Sequence, residues 1–174
     1  MGDFLTSDPL YASFLGWKYL MKTLCDHMLG SLAKWLRILG IDTFYPDGAM
    51  IDEDIIGLAK REHRLLISRD KALIARAKKE KVSTLELQVT DLAEQLKQTL
   101  SIISVDTGLM LTRCTVCNTL LESVDKNTVK VHVPPKVFET KDTFWYCTVC
   151  KKYYWMGTHY DNMIQKINEL TQRK

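Results

Sequence analysis

KTLCDHMLGSLAKWLRILGIDTFYPDGAMIDEDIIGLAKREHRLLISRD, residues 22–70, opens and closes on the same device: a short apolar run that ends near an aspartate. Lys22–Cys25 and Leu65–Ser68 are too short for helices and read as strands, with Asp26 and Asp70 just beyond their ends. Between them Leu29, Leu32, Ala33, Leu36 and Leu39 recur at helical spacing, and Gly40 stands where a helix C-cap belongs. Asp42–Tyr45 reads as a second strand before a Pro-Asp-Gly turn, and Asp52–Glu62 as a helix with Ile55, Ile56 and Ala59 on its apolar face. Further on, Lys71–Lys79 predicts a short basic helix, Val82–Leu87 a strand and Asp91–Leu100 another helix. Strands alternating with single helices predict βαβ units. The expectation is an α/β domain over residues 22–103, with a parallel sheet flanked by helices and right-handed crossovers.

The chain has 174 residues, room for one ordinary domain and a small module. Its 46% hydrophobic and 26% charged residues are those of a globular chain able to bury a core. The net charge of +3 permits a polyanionic partner without arguing for one. No run of 18 apolar residues exists, so no membrane partner is expected. The start, MGDFLTSDPL, carries acids and no basic region, which makes a poor leader, and a cytoplasmic location is expected. Residues 1–21 read as an N-terminal extension, with Leu10, Phe14 and Trp17 as a stripe on a short helix.

Near residue 103 the texture changes to short β-type runs, cysteines and a Pro134–Pro135 turn, defining a second unit over residues 104–174. Cys114 and Cys117 form one C-x-x-C pair and Cys147 and Cys150 another, twenty-nine residues apart. Each pair sets two thiolates on one tight knuckle, and two knuckles complete a closed tetrahedral shell, so one structural Zn²⁺ is expected. Neither pair has the βα context of a redox dithiol. The long segment between them contains KVHVP, which predicts a β-hairpin and hence a zinc ribbon. Trp145, Tyr146, Tyr153, Tyr154 and Trp155 surround the second knuckle beside Lys151 and Lys152. They read chiefly as cover for the metal, and secondarily as rings that stack bases. His159 is read as a packing or RNA-contacting residue. An amphipathic helix over 160–170 should close the chain. Cys25 reads as a buried, inert thiol.

In a parallel sheet the carboxyl ends of the strands share one edge, and ligands bind there at the switch point of strand order. Asp26 and Asp70 both project from that edge. Without cation partners the two carboxylates would repel each other unless a divalent metal neutralises them. Asp52, Glu53 and Asp54 open a helix at the same edge and offer a third ligand. Such oxygen ligands suit Mg²⁺ or Mn²⁺, which activates water and clamps a phosphodiester.

The string LCDHMLGSLAKWLRILGIDT, the spacing to IDEDIIGLAKREHRLLISRD, and the ending RCTVCN…CTVCKKYYWMGTHYDNM together resemble one PIN-like family. It is the ribonuclease domain named after the C-terminal region of the mut-seven exonucleases, and the resemblance runs from residue 22 to about 167. The resemblance implies a PIN-like fold and metal-dependent endoribonuclease activity on RNA. It matches Asp26 to the acid after the first strand and Asp70 to the acid of a T-x-D motif, with Ser68 replacing the threonine. It points to Asp52 as the third acid, with Asp54 as the fallback. A fourth acid has no clear match, which leaves one ion, or a non-catalytic RNA- or ribosome-binding module, as the alternative. Lys34, Arg37, Arg69 and Lys71 are then expected to contact flanking phosphates, and Ser68 to orient the nucleotide or an aspartate.

Overall fold

The two apolar runs become the central strands. The computed structural model describes residues 21–157 and residue 165. Its first half holds four strands, β1 (Thr23–Cys25), β2 (Thr43–Phe44), β3 (Leu65–Ser68) and β4 (Thr84–Glu86), all parallel and in the order β2-β1-β3-β4. β1 and β3 are buried along their whole length, as suits strands covered on both faces. β2 and β4 are the edges. The chain leaves β1 toward one side and crosses back to the other for β3, so the order reverses between β1 and β3.

Four helices cover this sheet: α1 (Gly30–Ile38), α2 (Asp52–Arg61), α3 (Lys71–Lys79) and α4 (Leu92–Leu100). Side chains alternate along a strand. Cys25, Leu65 and Ile67 therefore pack with Leu32 and Leu36 of α1 and Leu96 of α4. Leu24 and Leu66 pack on the opposite face with Ile55, Ile56 and Ala59 of α2 and Leu73 and Ala77 of α3. Two of these helix starts are capped by aspartates. Asp70 caps α3 by accepting from the N–H groups of Ala72 (2.7 Å) and Leu73 (3.1 Å), and Asp91 caps α4 through Glu94 N–H. Asp52, Glu53 and Asp54 fill the first turn of α2, where the helix dipole favours negative charge.

The second half is an antiparallel sheet of β5 (Glu122–Val124), β6 (Phe144–Cys147) and β7 (Lys152–Trp155), in the order β5-β6-β7. The KVHVP segment corrects the reading of a hairpin. A 3-10 turn at Lys126–Val129 and a short helix, α5 (Pro135–Thr140), fill the gap between β5 and β6. Val129 and Val133 are buried with Phe144, whereas Val131 between them is 85% exposed. Burial at every fourth residue is incompatible with strand alternation. Pro135 does not end a turn but sits in the first turn of a helix, where its missing N–H costs nothing. The extension, His159 and the expected terminal helix lie outside the described residues, save for residue 165, which is helical. No described helix is long and apolar enough to cross a membrane.

Candidate functional site

At the carboxyl edge of the parallel sheet, Asp26 and Asp70 follow two neighbouring strands on either side of the reversal in strand order. Asp26 is 4% exposed. One of its oxygens accepts from Met28 N–H at 2.9 Å, capping the 3-10 turn His27–Leu29. The other accepts a short hydrogen bond from the Ser68 hydroxyl. Ser68 is wholly buried, and its oxygen accepts in turn from Asp70 N–H at 2.8 Å. One hydroxyl thus ties the two strand ends together. Asp70 itself is exposed, with Oδ1 used in capping α3.

Asp52 is handled differently. Arg76, on α3, lies 3.3 Å from Asp52 Oδ2 and 2.7 Å from Glu53 Oε1, so the acids at the start of α2 carry a cation of the chain's own. Sequence reading missed Arg76, which looks like one more charge on a basic helix. Asp54 is exposed on the same turn. Among the described residues, Asp26, Asp52 and Asp70 do not form a group of three ligands drawn close enough for one ion.

Of the basic residues, Lys34 and Lys71 are exposed and Arg69 is half-buried, its Nε enclosed without a hydrogen-bond partner. Arg37 is the correction. It is 5% exposed, and its guanidinium donates to the carbonyls of Thr43 (2.9 Å), Thr115 (3.1 Å) and Val116 (2.8 Å). It braces backbone instead of facing a phosphate. Cys25 is fully buried, and burial together with the neighbouring Asp26 pushes its thiol far above the ordinary range.

The four remaining cysteines gather into one cluster with all ligand atoms within 4.8 Å of one another. Four sulfurs about 2.3 Å from a tetrahedral zinc would lie about 3.8 Å apart, so the arrangement fits a metal such as zinc. The knuckles are twins. Asn118 N–H donates to Cys114 O and Lys151 N–H to Cys147 O, both at 2.9 Å. The two residues adopt left-handed φ values of 69° and 56°. Cys117 and Cys147 sulfurs are 3.4 Å apart, and Tyr154 Oη lies 3.0 Å from Cys114 Sγ. Burial opposes ionisation of Cys117, but hydrogen bonds from Thr119 bring its thiol down to about 6. Its neighbour Cys150 is pushed up to about 12, first by hydrogen bonding with Cys117 and then by burial. Four thiolates cannot coexist here without a dication, so loading a metal must release protons. The rings chiefly fold the ribbon: Tyr153 and Trp155 join the core around Phe144, while Tyr146 is tilted against Tyr153 and His132 is stacked on it.

The chain thus sets acids at the switch point of a parallel α/β sheet and adds a four-cysteine cluster that could hold a metal. The chain belongs to the Mut7-C RNAse domain family, whose model matches residues 21–167. It is therefore a ribonuclease-type domain, with RNA as the substrate class that membership implies. No curated protein matches the chain.

Proposed function

We propose that the chain is a metal-dependent endoribonuclease, with residues 22–103 as its catalytic unit and residues 104–174 as a zinc ribbon that helps hold RNA. The observation that carries this is the pairing of Asp26 and Asp70 through Ser68 at the switch point. Mg²⁺ is commonly held by one or two carboxylates together with waters and substrate phosphates, and Asp26 and Asp70 would be those carboxylates here. The ion, Mg²⁺ or Mn²⁺, would supply an activated water and offset the charge that builds on the phosphorus. Asp26 is held on both oxygens, so its carboxylate cannot swing away as the phosphate enters. Asp70 keeps its orientation by capping α3. Asp52 would be the third ligand, its Oδ2 already facing Arg76, with Asp54 as the neighbouring substitute. Lys34, Lys71 and Arg69 would serve as phosphate contacts, and His159 would contact RNA. Zinc on Cys114, Cys117, Cys147 and Cys150 is structural, because a closed thiolate shell leaves no position for substrate. A reducing, cytoplasmic setting suits thiols left free for metal.

The test is cleavage of single-stranded and structured RNA with Mn²⁺. Wild-type protein should cut internally, and Asp26→Asn/Asp70→Asn should lose at least about a hundredfold in rate. Equal cleavage by the double variant would sink the proposal. A second reading is favoured by Arg76, which already neutralises Asp52 and Glu53 as a structural ion pair would. It is a non-catalytic RNA- or ribosome-binding module, and it predicts salt-sensitive RNA binding without products at any Mn²⁺ concentration.

A further inference from the structure

β2 is an edge strand of two residues, and the outward amide of an edge strand lacks a ladder partner. The first cysteine knuckle supplies one. Asn118, one residue past Cys117, accepts from Thr43 N–H through Oδ1 at 3.1 Å and donates through Nδ2 to Asp42 Oδ1 at 2.9 Å. Arg37 of α1 bonds Thr43 O from one side and the carbonyls of Thr115 and Val116, the residues between the knuckle's cysteines, from the other. Arg113, next to Cys114, donates to Gly40 O at 3.2 Å and to Asn118 O at 3.0 Å.

These groups face the sheet only while the turn from Cys114 to Asn118 is closed. Little apolar packing closes it, since Val116 and Leu120 are exposed. Backbone hydrogen bonds from Asn118 N–H to Cys114 O (2.9 Å) and from Cys114 N–H to Thr119 O (2.8 Å) shape it, and the sulfur cluster fastens it further, since a small unit of this kind draws much of its folding free energy from metal. β2 in turn pairs with β1, Thr43 with Thr23 and Phe44 with Leu24, and β1 runs into Asp26.

We propose that the ion in the ribbon is also a clamp on the α/β unit: occupancy of the cysteine cluster sets the stability of β2 and of the end of α1, through Asn118 and Arg37. Metal loss is thereby reported to the strand that carries Asp26. This rests on the cluster holding zinc, not on the nuclease reading.

Hydrogen exchange of the full chain tests it, with zinc content measured in parallel. Removing zinc with a chelator should speed exchange at Thr43 N–H by at least about tenfold, as expected when a held bond is freed, while Leu66 N–H in the centre of the sheet stays protected. Unchanged exchange at Thr43 after the zinc has left overturns the proposal. Should chelation unfold the chain outright, zinc-loaded Asn118→Ala decides. Faster Thr43 exchange with the zinc retained supports the route, and wild-type exchange there overturns it. Protein that never carries zinc refutes the metal reading itself, which the zinc assay registers separately.

Discussion

Asp42 accepts from Arg64 at 2.7 Å and from Asn118 at 2.9 Å on one oxygen, while Arg113 stands 3.5 Å from the other. Burial alone would raise its pKa, but the hydrogen bonds from Arg64 and Asn118 outweigh it and hold the carboxyl below its usual range. A group depressed in the folded state stabilises it above the unfolded value of about 3.9, and that gain fades as pH falls through the folded value. Asp42→Asn should therefore cost about 1–2 kcal/mol at pH 7, and urea melts should show the difference from wild type shrinking below about pH 4. Ser68→Ala strands a buried carboxylate oxygen and a backbone N–H, and should cost about 1–3 kcal/mol in the same assay. Ser68→Thr keeps the hydroxyl and should cost less, about 1 kcal/mol for crowding a closed site. Asp26 and Asp70 were legible in the sequence because parallel strands send their carboxyl ends to one edge. Arg37 was not. Three residues after Lys34 on the same helix it looks like surface charge, and the carbonyls it braces include two that lie 78 and 79 residues away.

Helix spans in the first half followed from periodicity because each helix there buries one face, and β1 and β3 followed from short apolar runs because they are buried throughout. β3 and α3 lie where the residue pattern puts them, and β4 is trimmed from Val82–Leu87 to Thr84–Glu86. The segment before β6 defeated the same logic. KVHVP alternates like a strand, yet only Val133 of its valines is buried, packing with Val129 and Phe144 within a turn-and-helix excursion, while Val131 faces solvent. Gly40 illustrates half-legible information. Its role as a helix terminus is written in the pattern, and its φ of +82° confirms the need for glycine. What the pattern hides is Leu109, whose carbonyl oxygen would lie 2.2 Å from any added Cβ. Gly40→Ala combines backbone strain with that collision, and should lower stability by about 2–4 kcal/mol in thermal or urea unfolding.

For the whole molecule, the sequence pointed to a parallel α/β sheet and to a four-cysteine cluster that could hold a metal, but not to how the two meet. Chain reversal at the sheet and tetrahedral sulfur geometry are local rules, whereas the fit of Asn118 against Thr43 depends on residues 75 positions apart. The described residues therefore form a nuclease-type sheet with one border finished by a piece of the other unit. Such a border has a consequence for the protein in concentrated solution. Peeled from its knuckle, β2 would offer bare N–H groups to the next chain, the usual template for strand-to-strand polymerisation. Chelated protein should scatter light at a rate that climbs with concentration, and zinc-loaded protein should stay clear. A metal lost from the ribbon would then show itself first as turbidity.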